Sequence, residues 1–301
     1  MSRKLLRHFV THPVSLISVF LLLSVFIFLP FTFTDFPLSP QVKSVSIHPT
    51  DSTTPLDISC SSLPEIDATA IYIYDLDTDT VVCQRQADLR LFPASTTKIM
   101  TALVALDLYR PDQILTVYSA DGSVGHTMKL LPHDQLMARD LLFGLLVSSG
   151  NDAALALAEN HPQGYSAFVS AMNLKAQELG LTNTYFTNVS GVEDNQHYTS
   201  AADLTTMAIA GLNSPLFVEA VATQQTTVTS LQGHDYTLYT TNELLGRDDV
   251  SGVKTGWTPA AGECLVTLYS PEGHHFIITL LGSTDRFGET EFLLDWLATY
   301  L

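Results

Sequence analysis

Cysteine is scarce: the 301 residues include three, Cys60, Cys83 and Cys264. Their number is odd and their spacing fits no zinc site, which argues against a cysteine-built metal centre. In an exported protein Cys60 and Cys83 could form a disulfide. Cys264 sits in an apolar run and reads as a small core residue. No H-E-x-x-H motif occurs among the ten histidines, and neither metal nor other cofactor is assigned. Basic residues are also scarce: 14 Lys and Arg stand against 31 Asp and Glu, for a formal charge of −17. Arg3, Lys4 and Arg7 precede every acid in the chain, so the part after them is more acidic still. That balance excludes nucleic acid as a partner and an electrostatic grip on anionic lipid, and reads as solubility. No internal repeat is visible.

What is present first is an apolar stretch. Val14–Thr34 carries no charge and follows the basic flank. It is long for a signal-peptide core and short for a spanning helix, but Phe31 and Phe33 extend it past Pro30. No A-x-A-like cleavage site follows. We read 1–34 as a cytoplasmic N-terminus and signal anchor, with the basic end inside; a cleaved signal is the alternative. Residues 35–65 carry Pro37, Pro40, Pro49, Pro55 and Pro64 among many Ser and Thr. Such a segment buries too little apolar surface to offset its ordering entropy, and reads as a linker. Residues 66–301 are long enough for one substantial core.

Within that domain, Ala68–Tyr74 and Val81–Gln84 read as a hairpin around an Asp- and Thr-rich turn. A helix opens at Pro93-Ala94-Ser95 and runs through Leu108, apolar on nearly every side and therefore buried. Further helices fit Ala138–Leu146, Asp152–Glu159 and Ser166–Leu179, the last stopping at Gly180. Ser251–Thr255 reads as a strand, and Cys264–Tyr269 with His275–Leu281 as a second hairpin. The chain ends in a helix that places Phe292, Leu293, Trp296, Leu297 and Tyr300 on one face. Strands at both ends and helices between predict an α+β domain whose terminal strands share one sheet.

Three short motifs carry the chemistry: Ser95-Thr96-Thr97-Lys98, Ser149-Gly150-Asn151 and Lys254-Thr255-Gly256. Read as S-x-x-K, S-x-N and K-T-G, they are the parts of a serine acyl-transfer site with lysine as the base. Lys98 lies one turn beyond Ser95 and can reach its hydroxyl. A buried lysine beside a second cation, Lys254, loses its proton more readily. The bland reading, a helix-capping serine and a surface lysine, fails because the surrounding helix is apolar. Ser149 is a candidate proton relay, and Asn151 a hydrogen-bond partner for Lys98 and a substrate amide. Taken alone, their segment would be a turn with a capping residue. Gly256 lets a substrate backbone approach the strand edge, where an extended peptide could add as a strand. Lys254 and Thr255 can hold a terminal carboxylate. The backbone N–H groups of Ser95 and Trp257 are candidate oxyanion donors.

With these motifs the chain resembles the low-molecular-mass serine D-alanyl-D-alanine carboxypeptidases of the penicillin-binding protein and β-lactamase superfamily. The likeness extends from about Ala68 to the C-terminus. It includes Pro93–Ala102, Leu141–Ala154, Glu178–Thr184, His197-Tyr198, Asp203-Leu204, Thr241-Asn242, Leu244-Leu245 and Gly252–Gly256. The resemblance implies a β-lactamase/D,D-peptidase-like fold, an antiparallel sheet flanked by helices with a helical subdomain. It implies attack of Ser95 on the D-Ala-D-Ala bond of a peptidoglycan stem peptide, an acyl-enzyme, and trapping by β-lactams. Arg286 resembles a position where the family holds an arginine near the substrate carboxylate; a surface arginine is the alternative. Many relatives continue into a β-rich domain and a C-terminal membrane helix. Here the expected attachment is N-terminal, in a bacterial cell membrane with the catalytic domain outside. D,D-endopeptidase action on cross-links is not separated by the motifs. A β-lactamase is a rival, but Glu178 and Glu193 offer no convincing deacylating glutamate. A non-catalytic wall-binding domain is the rival from another class, and it is disfavoured because no catalytic residue is missing.

Overall fold

The computed structural model describes residue 63, residues 65–119 and residues 125–301. The expected anchor, 1–34, and all of the expected linker except residues 63 and 65 lie outside them. Among the described residues no single helix is long and apolar enough to cross a membrane.

Five antiparallel strands form the main sheet: β1 (Ala70–Asp75), β2 (Thr80–Arg85), β7 (Val250–Thr258), β8 (Gly262–Tyr269) and β9 (Phe276–Ser283). Their spatial order is β2-β1-β9-β8-β7. The chain's two ends therefore meet in one sheet, as the sequence predicts, with Ile71 opposite Leu280 and Lys254 opposite Val266. Side chains alternate across each strand. On β8, Cys264, Val266 and Leu268 join the core on the helical side, whereas Leu265 and Tyr269 join the core on the other. Both faces are covered, so β8 and β9 read as nearly continuous apolar runs.

The outer face is covered by α7 (Arg286–Ala298) through Leu293, Leu294, Trp296 and Leu297. Each such fully buried side chain is worth about 1.5–3 kcal/mol. Phe292 corrects the sequence reading: it is 60% exposed rather than on the buried face. It precedes Leu293 by one residue, about 100° around the helix, and Leu293 and Leu294 take the sheet instead.

The inner face carries the helical part. It comprises α1 (Lys98–Leu108), α2 (Ala138–Leu146), α3 (Asn151–Glu159), α4 (Tyr165–Glu178), α5 (Ala201–Leu212) and α6 (Pro215–Val221). α5 crosses β9 with a buried Thr205–Thr279 hydroxyl pair at 2.8 Å. α4 ends as expected: Gly180 has φ +71°, and Leu181 N–H donates to Ala176 O at 2.9 Å. Two short ribbons complete this part, β3 (Ile114–Thr116) with β4 (Gln135–Met137) and β5 (Gln225–Thr229) with β6 (Asp235–Tyr239). Cys83 is buried and disulfide-bonded, and Cys264 is a buried free thiol. The expected partner, Cys60, lies outside the described residues.

Candidate active site

The segment expected to open as α-helix is first a tighter 3-10 turn, Ala94–Thr97, which continues into α1 at Lys98. In a 3-10 turn residues three apart eclipse one another, which aligns Lys98 with Ser95. Lys98 Nζ lies 2.9 Å from Ser95 Oγ and donates to the Ser190 carbonyl at 3.0 Å. α1 is buried along most of its length, and Lys98 has no exposed surface. Burial, and then the charge of Lys254, hold the Lys98 amine well below the usual lysine range; Asp152 opposes them.

Ser149 precedes α3 and has φ +59°, a left-handed conformation that costs a non-glycine residue about 1–3 kcal/mol. That backbone turns its hydroxyl to Lys254, whose Nζ donates to Ser149 Oγ at 2.9 Å and to the Thr255 carbonyl at 3.0 Å. Ala94, one residue before Ser95, is also left-handed, at φ +48°. Lys254 is fully buried, and burial, with the charge of Arg286 second, lowers its pKa to about 7. Asn151 opens α3, lines the same cleft, and its backbone N–H donates to the His126 carbonyl at 2.8 Å.

Strand β7 forms one edge of the sheet, and Gly256 passes the serine turn at close range. A Cβ on Gly256 would sit 3.0 Å from the Pro93 carbonyl oxygen and the Ser95 nitrogen. Glycine is required for that approach. Thr255 Oγ1 pairs with Thr241 Oγ1 at 2.6 Å. Trp257 follows, 58% exposed on the cleft wall. Arg286 starts α7, but its side chain is only 16% exposed. It donates to the Gly256 carbonyl at 3.2 Å and pairs with Glu263 at 3.6 Å. The surface-arginine alternative is thereby excluded. All nine residues singled out in the sequence thus meet around one cleft of about 1800 Å³ or directly beneath it.

Sequence reasoning missed several supports. Gly191 packs so closely on the serine turn that a Cβ would lie 1.7 Å from the Ala94 carbonyl oxygen. Asn188 Oδ1 accepts from the backbone of Ser190, Gly191 and Val192, which fixes the loop whose carbonyl meets Lys98. Buried His197 accepts from Thr187 N–H on Nδ1 and meets Thr97 Oγ1 through Nε2 at 2.8 Å. Asp152 accepts from Met128 and Leu130 N–H, which ties the loop before α2 to α3. His126 faces the cleft; burial, then Lys254, Lys98 and Arg286, lower its pKa. Of the two glutamates weighed as water activators, Glu178 pairs with Lys175 at 3.6 Å on α4. Glu193 is on the cleft, but its carboxylate accepts from Ala260 N–H. No group of three or more His, Cys, Asp or Glu able to hold a metal occurs among the described residues.

Comparison with known proteins agrees with this geometry. The sequence pattern of the D-alanyl-D-alanine carboxypeptidase family matches residues 58–284. A D-alanyl-D-alanine endopeptidase of Escherichia coli is 32% identical over 95% of this chain and 88% of its own. The D-alanyl-D-alanine carboxypeptidase DacF of Bacillus subtilis is 32% identical over 76% of this chain and 62% of its own. The crystal structure of the Streptomyces K15 DD-transpeptidase superposes with a TM-score of 0.73 at 32% identity, over 78% of this chain and 98% of that one. The ampicillin-bound Penicillin-Binding Protein D2 of Listeria monocytogenes gives 0.65 at 27% identity, over 76% and 96%. With an S-x-x-K serine, its buried lysine pair and an edge strand built as one site, this chain belongs to the D-alanyl-D-alanine carboxypeptidase family of serine peptidases.

Proposed function

We propose that this chain, a serine D,D-peptidase by family, cleaves the terminal D-Ala-D-Ala bond of peptidoglycan stem peptides through an acyl-enzyme on Ser95. The observation that carries the roles is the 2.9 Å contact between Ser95 Oγ and the buried amine of Lys98. Neutral Lys98 takes the Ser95 proton as Oγ attacks the carbonyl carbon. The backbone N–H groups of Ser95 and Trp257 hold the resulting oxyanion, and one such donor is typically worth about 2.7–4 kcal/mol. Ser149 passes a proton to the leaving nitrogen, with Lys254 behind it. The C–N bond breaks and D-alanine departs. Water then adds to the ester by the reverse route, and Ser95 regains its proton. Lys254 and Thr255 receive the substrate's terminal carboxylate; Arg286 adds positive potential from below Gly256. Asn151 holds the substrate amide. β-Lactams acylate the same serine.

Cleavage of cross-links is the second reading. Its support is the cleft, which continues from Ser95 past Thr241 onto β6, together with the endopeptidase relatives. We assign 1–34 as a membrane anchor for an extracytoplasmic domain, on its basic flank and apolar length. Fractionation of cells making the full chain, with and without 1–34, tests that assignment.

The deciding experiment labels the detergent-solubilised full chain with a fluorescent penicillin beside Ser95→Ala. A slowly released label that requires Ser95 supports the reading. No label on folded protein, with the penicillin intact, refutes it; rapid penicillin hydrolysis would make the chain a β-lactamase. Release of free D-alanine from monomeric stems, set against cleavage of cross-linked dimers, then separates the two peptidase readings.

A further inference from the structure

Glu193 is a cleft carboxylate held by a backbone hydrogen bond and, among the described residues, without a cation. Glu193 ends the loop that begins at Asn188 and carries the Ser190 carbonyl. Its Oε1 accepts from Ala260 N–H at 2.8 Å. The Thr258 hydroxyl on the same wall accepts from Ala261 N–H at 3.1 Å. The carboxylate is exposed, and the Ala260 N–H, with the Thr258 hydroxyl second, lowers its pKa, so it is ionised at neutral pH. Among the described residues it makes no ion pair. An ionised carboxylate offers about four acceptor sites, so the backbone donor leaves capacity for another.

Its place along β7 gives the arrangement direction. The proposed site puts the substrate's terminal carboxylate at Lys254 and Thr255, and the scissile carbonyl beside Ser95, which faces Gly256. A peptide laid antiparallel along this edge advances about 3.3 Å per residue. Its upstream residues therefore run past Trp257 and Thr258 toward Pro259, on the cleft wall that Glu193 shares. Arg286 and Lys254 lie toward the opposite, carboxylate end. The site is thus polarised along the peptide, positive at the leaving end and negative upstream.

We propose that Glu193 is a specificity-determining residue that selects stem peptides carrying an ammonium group on the side chain of the residue before D-Ala-D-Ala. The inference rests on the peptidase reading above and names the substrate class for it. The hydrogen bond from Ala260 N–H orients the carboxylate before substrate arrives, so less side-chain freedom is lost on pairing.

The test uses the full chain in detergent and two synthetic peptides, N-acetyl-L-Lys-D-Ala-D-Ala with its ε-amine free or acetylated. The readout is the ratio of their kcat/KM values from D-alanine release. The free amine is expected to be favoured about three- to fivefold, the range of a partly exposed ion pair. That ratio falls toward one in 0.5 M NaCl, and falls to near one in Glu193→Gln. Glutamine keeps an oxygen for Ala260 N–H, so that hydrogen bond survives while the charge goes. Equal rates on both peptides in the unaltered protein overturn the proposal. So does a preference that persists at high salt, or one retained by Glu193→Gln. Should that variant not fold, the salt dependence alone decides. Failure of the peptidase reading is distinct, because the protein then takes up no penicillin and releases D-alanine from neither peptide.

Discussion

Thr97 and His197 stand a hundred residues apart and share a buried 2.8 Å hydrogen bond. Thr97 is the residue between the Ser95-Thr96 pair and Lys98, so the imidazole pins the turn that carries the nucleophile and its base. Nδ1 accepts from Thr187 N–H, so Nε2 carries the proton and donates to Thr97. Burial lowers the His197 pKa from 6.5 to about 4. The folded protein thus keeps the ring neutral at a pH where the unfolded chain protonates it. Stability is full above pH 6.5, falls as pH drops toward 4, and is constant below. At 1.36 kcal/mol per pKa unit the loss is about 3 kcal/mol. Denaturant melts of the unaltered protein between pH 7 and 4 are expected to show it, and His197→Gln to flatten that window. A slope unaffected by the substitution would show that the ring titrates normally.

Lys98→Ala is expected to reduce penicillin acylation about 10²- to 10⁴-fold, the usual worth of a general base. The protein should remain folded, because the variant loses the desolvation cost of a buried amine along with its hydrogen bonds to Ser95 and the Ser190 carbonyl. Label uptake and a thermal melt on the same sample check both halves. Unchanged acylation would remove Lys98 from the mechanism.

The pH profile has a worked sign. Acylation needs Lys98 neutral, so its rate rises as pH passes the lowered Lys98 value. Carboxylate binding needs Lys254 charged, and its pKa is about 7, so kcat/KM for a stem peptide declines above that. In kcat the falling limb moves up, because bound carboxylate favours the ammonium form. Arg286→Gln removes the charge that depresses Lys254, and is expected to move the kcat/KM limb to higher pH. Stopped-time assays from pH 5 to 9 measure both shifts; an unmoved limb in the variant would sever Arg286 from Lys254.

Two glycines should differ in severity. At Gly256 an added Cβ meets backbone at 3.0 Å, so a shift of a few tenths of an ångström separates β7 from the serine turn. Gly256→Ala is expected to fold and to lose acylation. At Gly191 the Cβ would lie 1.7 Å from a carbonyl oxygen, on a residue with φ +84°. Gly191→Ala is expected to destabilise by more than the ~1 kcal/mol typical of single substitutions. Melting temperatures and label uptake rank the pair.

Much of this site was legible in the sequence because its chemistry sits in contiguous motifs. Ser95 and Lys98 are three apart, and a lysine inside an apolar helix has few structural explanations. β8 and β9 were legible because burial on both faces makes them nearly continuous apolar runs. Thr97–His197, Asn188 and Gly191 were not, since each acts on a turn roughly ninety to a hundred residues away and carries no local signature. β3 and β4 are three residues each, too short for periodicity. β5 and β6 alternate, but with threonine and tyrosine on the exposed face, which weakens the contrast. α5 is rich in alanine and threonine, and its stripe shows only once β9 packs on it.

An unpaired strand at the rim of a sheet invites a second copy of the chain to zip onto it. β7 is such a rim, and the Ala94–Thr97 turn abuts it at Gly256, near its C-terminal end. A second copy paired along it would lie over Ser95 and the cleft. Self-association through this edge would therefore silence the site that the strand serves.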